Sequence, residues 1–302
     1  MRLFILGLIL ASCASGSEPK APPHFDEDMS DLEEQIRPWA VSCEFEGLVY
    51  PCEDRPQGKE DQKDDHVVIF AGLLCASGEP GMHEVVRASV GDDGSFWRSP
   101  RQLGEGRPPG RQDRYSRDNL VSLLLCAAYE KDQDLLWRTY RYLRENNNKL
   151  CPDDSDGRCR MTPVTWRGYE IAFKHAGMKV PPTLKKLAGG SDLLAAQTRV
   201  TRKGYQTHLN SIQIHLHNLV GKDTSALRDA KRFLVKRENL NPYFEWLLNG
   251  PTEKVYRLLR EQCPTERPPY ADEWTWGQDQ DKQKWKESIG WDCLFLINLI
   301  KK

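Results

Sequence analysis

No C-x-x-C spacing occurs in the chain although it carries nine cysteines, which speaks against the ordinary thiolate zinc site. Neither sign of charge is in excess, because 43 Lys and Arg face 44 Asp and Glu for a formal net charge of −1. Bulk electrostatics therefore select no partner. Acidic residues spread along the chain, together with the export signal described below, disfavour nucleic acid. Alternation of polar and apolar residues, as a half-buried strand requires, is not found over any length. Long apolar runs are missing too: the N-terminal one, Leu3 to Leu10, is far shorter than the roughly 20 residues a membrane span needs. What remains is 302 residues, enough to bury a sizeable core without staples.

Residues 1–12 read as an export signal, with Arg2, the apolar run and then small residues. Leu10-Ala11-Ser12-Cys13 resembles the lipobox of bacterial lipoproteins. That resemblance implies lipidation at Cys13, with the membrane reached through the lipid anchor only, and Ala14 after it fits outer-membrane delivery. A plain cleaved signal ending near Ala14, giving a periplasmic or secreted chain, is the alternative. Residues 13–38 are rich in proline and acid, a composition that suits a spacer better than a core. Within it, Ser30-Asp31-Leu32-Glu33 fits a capping box and predicts a short helix. Residues 39–302 read as a single helical domain.

Setting Cys13 aside leaves Cys43, Cys52, Cys75, Cys126, Cys151, Cys159, Cys263 and Cys293 as disulfide candidates, an even set in an exported chain. Cys43 with Cys52 and Cys151 with Cys159 each bracket a loop. Cys75 and Cys126 end apolar helices of similar pattern, and Cys263 and Cys293 flank the last polar segment. The full pairing does not follow from sequence.

Helical patterns come in pairs from His66 onward. Val67 to Ala76 precedes Met82 to Val90; Leu120 to Tyr129 precedes Gln133 to Asn146; Val164 to Ala176 precedes Leu184 to about Thr198. Tyr205 to Val220 pairs with Ser225 to Leu240, capped by Asp223-Thr224, and Pro242 to Leu248 with Glu253 to Cys263, opened by Pro251-Thr252. A last segment from Lys282 is broken at Gly290. Three helices are apolar nearly all round and so expected inside, while their amphipathic partners face outward. The fold class is all-α: paired helices in an α/α toroid or a helical-hairpin array, stapled by disulfides.

This pairing resembles the α/α-toroid proteins, among them many glycan hydrolases and lyases. The segments Phe70-Ala71-Gly72-Leu73-Leu74-Cys75, Phe96-Trp97-Arg98-Ser99-Pro100, Ser116-Arg117-Asp118 and Gly290-Trp291-Asp292-Cys293 are similar to those of an uncharacterised family of exported bacterial proteins. The first resemblance implies an architecture and the second carries no activity, and fold alone does not give function.

In a toroid the inner-helix ends of one rim line a cleft, where Asp65, Asp118, His208 and Asp292 could meet. Asp118 and Asp292 are the candidate acid and base for a glycosidic bond, at carboxyl separations of roughly 6.5–9.5 Å for inversion. Each also suffices as a first-turn acid that complements the helix dipole. A lyase would instead use Tyr205 or His208 as base, with arginine neutralising a uronate. The loop before Leu120 carries Arg98, Arg101, Arg107, Arg111, Arg114 and Arg117 with no lysine, and the planar guanidinium suits carboxylate. Arg98, Arg117, Tyr205, Trp166 and Trp291 are the candidate substrate-binding residues, the aromatic faces serving sugar rings. Trp274-Thr275-Trp276 reads as an exposed aromatic segment.

No cofactor is read from the sequence, nor a metal site. His215 and His217 point to different helix faces, and Asp153-Asp154-Ser155-Asp156-Gly157 lacks the calcium-loop glutamate, Val164 standing there instead. The expected function is an exported enzyme, hydrolase or lyase, acting on an anionic envelope or extracellular polysaccharide. The alternative is a non-catalytic envelope lipoprotein that binds a glycan or protein partner.

Overall fold

Residues whose side chains are apolar on every face have no choice but to be surrounded, and Val67–Ser77 is buried throughout its length. The computed structural model describes residues 25–54, 63–106, 117–150, 160–220, 223–269, 271, 274 and 287–302. It is mostly helical, with fourteen α-helices and little strand among the described residues. In chain order they are α1 Phe25–Ile36, α2 Val67–Ser77, α3 Met82–Ala88, α4 Pro100–Gly104, α5 Arg117–Tyr129, α6 Gln133–Glu145 and α7 Pro163–His175. There follow α8 Pro182–Leu187, α9 Ser191–Val200, α10 Tyr205–Asn218, α11 Ser225–Arg237, α12 Pro242–Asn249, α13 Glu253–Gln262 and α14 Trp291–Lys301.

The buried helices run the same way. Near their N-terminal ends Ile69 N donates to Asn119 Oδ1 at 3.1 Å, and near their C-terminal ends Cys75 and Cys126 form a disulfide, so α2 and α5 are parallel. Lys302, just past α14, donates to Ala76 O at 3.0 Å and lies over the Tyr129 ring, which puts the end of α14 beside the ends of α2 and α5. His175 at the end of α7 bonds Leu219 O just past α10 at 3.1 Å, aligning that pair. Amphipathic helices cover them: α6 turns Leu135, Leu136, Thr139, Tyr140 and Leu143 inward, and α13 turns Val255, Tyr256, Leu258 and Leu259 inward. The starts of α6, α11 and α13 are capped by Asp132, Thr224 and Thr252, each side chain accepting a first-turn amide.

Four features differ from the sequence expectation. Ser42–Phe45 and Leu48–Pro51 form an antiparallel hairpin, β1 and β2, around Glu46 and Gly47, both at positive φ as a tight two-residue turn demands. Its strands are too short for alternation to register, and the Cys43–Cys52 disulfide closes its open end. The helix expected over Leu184 to Thr198 is broken into α8 and α9, because Gly189 packs its backbone on the start of α7 and donates to Pro163 O at 2.9 Å. Ser99 caps a short helix, α4, that the Pro100 signal announces. The described part of the expected tether is α1, and its Met29, Leu32 and Ile36 are buried. Glu33 pairs with Lys301 at 2.7 Å and Arg37 with Glu79 at 2.6 Å, fastening α1 to the ends of α14 and α2.

Cys263–Cys293 is the third disulfide among the described residues. The signal segment, Cys13, Cys151, Cys159 and the loop at 153–157 lie outside those residues. No helix among the described residues is long and apolar enough to cross a membrane.

Two substitutions test this packing. A Cβ on Gly72 would stand 2.5 Å from Ser122 O, so Gly72→Ala is expected to destabilise the chain by about 1–3 kcal/mol, read as a lower urea midpoint at unchanged slope. Ile36→Ala should cost roughly 2–5 kcal/mol in the same assay, whereas in a free spacer it would cost nothing.

Candidate functional site

The starts of α5, α7 and α10 meet around a cleft of about 320 Å³. Arg117 and Asp118 reach it from the first turn of α5, Thr162 and Thr165 from the capped start of α7, and Asn210 and Gln213 from α10. The start of α10 is set by a buried acid: Gly204, at φ 80°, donates its amide to Glu238 Oε1 at 2.9 Å, and the Thr207 hydroxyl donates to the same oxygen. This anchors Tyr205, whose hydroxyl donates to Asp118 Oδ2 at 3.0 Å. Burial, and then the neighbouring Asp118 carboxylate, push the Tyr205 phenol well above its ordinary range, with Arg98 opposing. At neutral pH this phenol holds its proton.

A second dyad stands near Tyr205. His66, at the N-cap of α2, holds Glu53 Oε1 through Nδ1 at 2.7 Å, and its ring lies 6.1 Å from that of Tyr205. Glu53 is only 1 % exposed and follows the Cys52 disulfide directly. Arg98 donates to Asp65 O at 3.0 Å, and Arg98 O accepts from Val68 N, which draws the residues before α4 onto the start of α2. Five segments thus deliver Glu53, His66, Arg98, Asp118 and Tyr205 to one end of the parallel helices.

Of the residues expected from sequence, Asp118 and Arg117 line the cleft, with Tyr205 bonded to Asp118 and Arg98 close by. Asp292 does not join them. It is fully buried, and its Oδ1 accepts from the Ser288 hydroxyl at 2.7 Å beside the start of α14. His208 is 1 % exposed, its ring set 6.4 Å from both Trp274 and Tyr243. Burial, helped by nearby His66, drives its pKa down to about 3, so it stays neutral and out of reach of solvent.

The tryptophans are corrected in the same sense. Trp166 packs among Tyr140 and Tyr169, Trp291 donates to Val41 O at 2.9 Å, and Trp274 stacks on Phe70 at 4.9 Å; all three are core. Arg101 is committed to buried Asp64 at 2.6 Å, while Arg107, Arg111 and Arg114 lie outside the described residues. Glu53 and His66 went unassigned in sequence. The local signal is a histidine at a helix start after two aspartates, and Glu53, which precedes it by 13 residues and belongs to no motif, leaves none.

Among the described residues no three His, Cys, Asp or Glu side chains converge as a metal would require. His215 instead bonds the Tyr243 hydroxyl at 3.0 Å.

Three buried histidines make stability pH-dependent. Burial holds His208 and His215 down to about 3 and His217 down to about 4, all below the ordinary value of 6.5. The unfolded chain therefore binds up to three more protons between those values and about 6.5, so the stabilisation is full above pH 6.5 and is lost as pH falls. Urea midpoints should drop steeply from pH 7 to pH 5, and His208→Gln should remove about one proton from that slope. No known protein family, curated protein or solved structure matches the chain.

Proposed function

We propose that the chain is an exported enzyme that cleaves an acidic polysaccharide by elimination at the Asp118–Tyr205 cleft. The observation that carries this reading is the hydrogen bond from the Tyr205 phenol to the Asp118 carboxylate on the wall of an open cleft. The buried helices, each but the last followed by a more exposed one, support an α/α toroid in which α2, α5, α7, α10, α12 and α14 form the inner ring. Disulfides support an oxidising compartment, and with it export through the N-terminal signal.

Elimination is favoured over hydrolysis by the carboxylates. Two-carboxylate hydrolysis needs a second acid across the bond, at roughly 5–9.5 Å. Asp292 is buried behind Ser288, and Glu53 is buried against His66. Elimination needs one base at the carbon next to the uronate carboxylate and one proton for the leaving oxygen. In this reading Arg117 neutralises the substrate carboxylate, and Asp118 takes the proton from the adjacent carbon. The electron pair forms the carbon–carbon double bond as the glycosidic carbon–oxygen bond breaks. Tyr205 protonates the departing oxygen, and its phenolate recovers a proton from Asp118 along their hydrogen bond, which restores both groups.

A second reading, a non-catalytic envelope protein that binds the same glycan, is favoured by the exposure of Arg117 and Gln206 on the rim. It requires salt-sensitive binding without turnover.

Unsaturated sugar ends and reducing ends released from a panel of acidic polysaccharides separate these readings. Asp118→Asn should abolish release of unsaturated ends with the far-UV circular dichroism unchanged. Tyr205→Phe should slow it by about 10²–10⁴-fold. An unchanged rate in Asp118→Asn overturns the assignment, and reducing ends without unsaturation overturn elimination.

A further inference from the structure

Charge is spread unevenly along a chain whose total is near zero. From Lys179 to Glu238 there are twelve Lys and Arg against four Asp and Glu, and the remainder is correspondingly acidic. One of the twelve, Lys222, lies outside the described residues. The acids of this segment are largely committed within it. Asp223 meets Arg228 and Lys231, Asp229 meets Arg199 and Arg232, and Glu238 is buried at the start of α10. The outward balance is therefore strongly positive.

Much of that charge falls on one surface. α9 and α11 lie side by side and run the same way, because Thr224 donates to Ser191 at 3.3 Å near their starts and Arg199 reaches Asp229 at 3.6 Å further along. On α11, Arg228, Arg232 and Lys236 recur every four residues and are all exposed, which makes a row of cations along the helix. The same segment also shows apolar side chains to solvent. Of the five large hydrophobic residues exposed among the described ones, three are Leu193, Val200 and Leu240, and Val200 is 82 % exposed. Leu193 and Val200, seven apart, share a face of α9, and Leu240 follows the end of α11.

This combination selects the chemistry of a partner. A soluble polyanion would occupy the cations and leave Val200 in water, whereas a neutral apolar partner would cover Val200 and strip the cations of water without pairing them. A bilayer with anionic headgroups presents phosphates at its surface and hydrocarbon just beneath, so one flat partner meets both demands. Guanidinium groups suit those phosphates through paired donors. We propose that the α9–α11 face is a docking surface for an anionic phospholipid bilayer, with the α11 cations on lipid phosphates and Leu193, Val200 and Leu240 among the headgroups. Gln197 and Thr201 of α9 line the cleft, so docking sets the mouth of the cleft beside the membrane. The inference goes beyond the reading of the cleft and holds whether or not the cleft turns anything over.

The test is co-sedimentation of the chain from Ala14, made without a lipid so that no anchor contributes, with vesicles of phosphatidylcholine alone or of equimolar phosphatidylcholine and phosphatidylglycerol. Binding is expected to the anionic vesicles at least about tenfold more tightly than to the neutral ones, and to weaken as sodium chloride is raised. The triple variant Arg228→Glu, Arg232→Glu, Lys236→Glu should lose at least about tenfold of that binding. Val200→Ser, at a position too exposed to matter for folding, should lose about threefold. Urea midpoints of both variants are measured alongside, and they should stay near that of the unsubstituted chain. Absence of binding to the anionic vesicles, equal binding to both kinds, or binding untouched by either variant overturns the docking surface. Binding of soluble dextran sulfate through the same cations with no binding to vesicles also overturns it, and assigns the face to a polyanion instead.

Discussion

The close parallel contact of α2 with α5 is the constraint on which the remaining structure depends. Gly72 has no side chain, and the backbone of Ser122 occupies the space that one would need. The two helices approach until Asn119 can accept the free amide of Ile69, and the Cys75–Cys126 disulfide closes the other end. Once these axes lie together, both N-termini must open on the same side of the molecule. α14 joins through Lys302 at the opposite end, and α7 and α10 are aligned with each other through His175 and Leu219 O.

Parallel packing has an electrostatic consequence. Helix N-termini present unsatisfied amides and a partial positive charge, and several of them gathered at one end favour acids there. Asp118, Asp292 and the Asp64–Asp65 pair all occupy that end, and the structure divides them by what else reaches each one. Ser288 closes over Asp292, and Arg101 with Ser99 closes over Asp64. Asp118 alone of these is held by a tyrosine from another helix while lining an open cleft. Acids near helix starts are thus sealed away in two cases and open to a candidate site in one.

Helix positions were largely legible, because period and capping are local. Val67 onward, Gln133 onward and Glu253 onward start where the side chains say they do, and the spacing of Cys43 and Cys52 matched a bridged loop. The hairpin inside that loop was not legible, since four-residue strands carry too few alternations to stand out. Trp274 was expected to be exposed for a related reason: an aromatic residue in a polar stretch looks exposed until another element covers it, and Trp166 and Trp291, expected to face sugar rings, are covered as well. Phe70 covers Trp274, and Val41 supplies the acceptor for Trp291.

By itself the sequence determined a predominantly helical chain with paired helices, a set of cysteines suited to bridges, and Asp118 at the first turn of an apolar helix. Those properties depend on neighbours a few residues apart. Only the tertiary structure decided that Tyr205, 87 residues on, bonds Asp118, that Glu53 and His66 stand beside it, and that Asp292 and His208 are sealed away. Such choices are made by helix packing, which brings distant side chains to one end of the molecule and leaves no trace in local spacing.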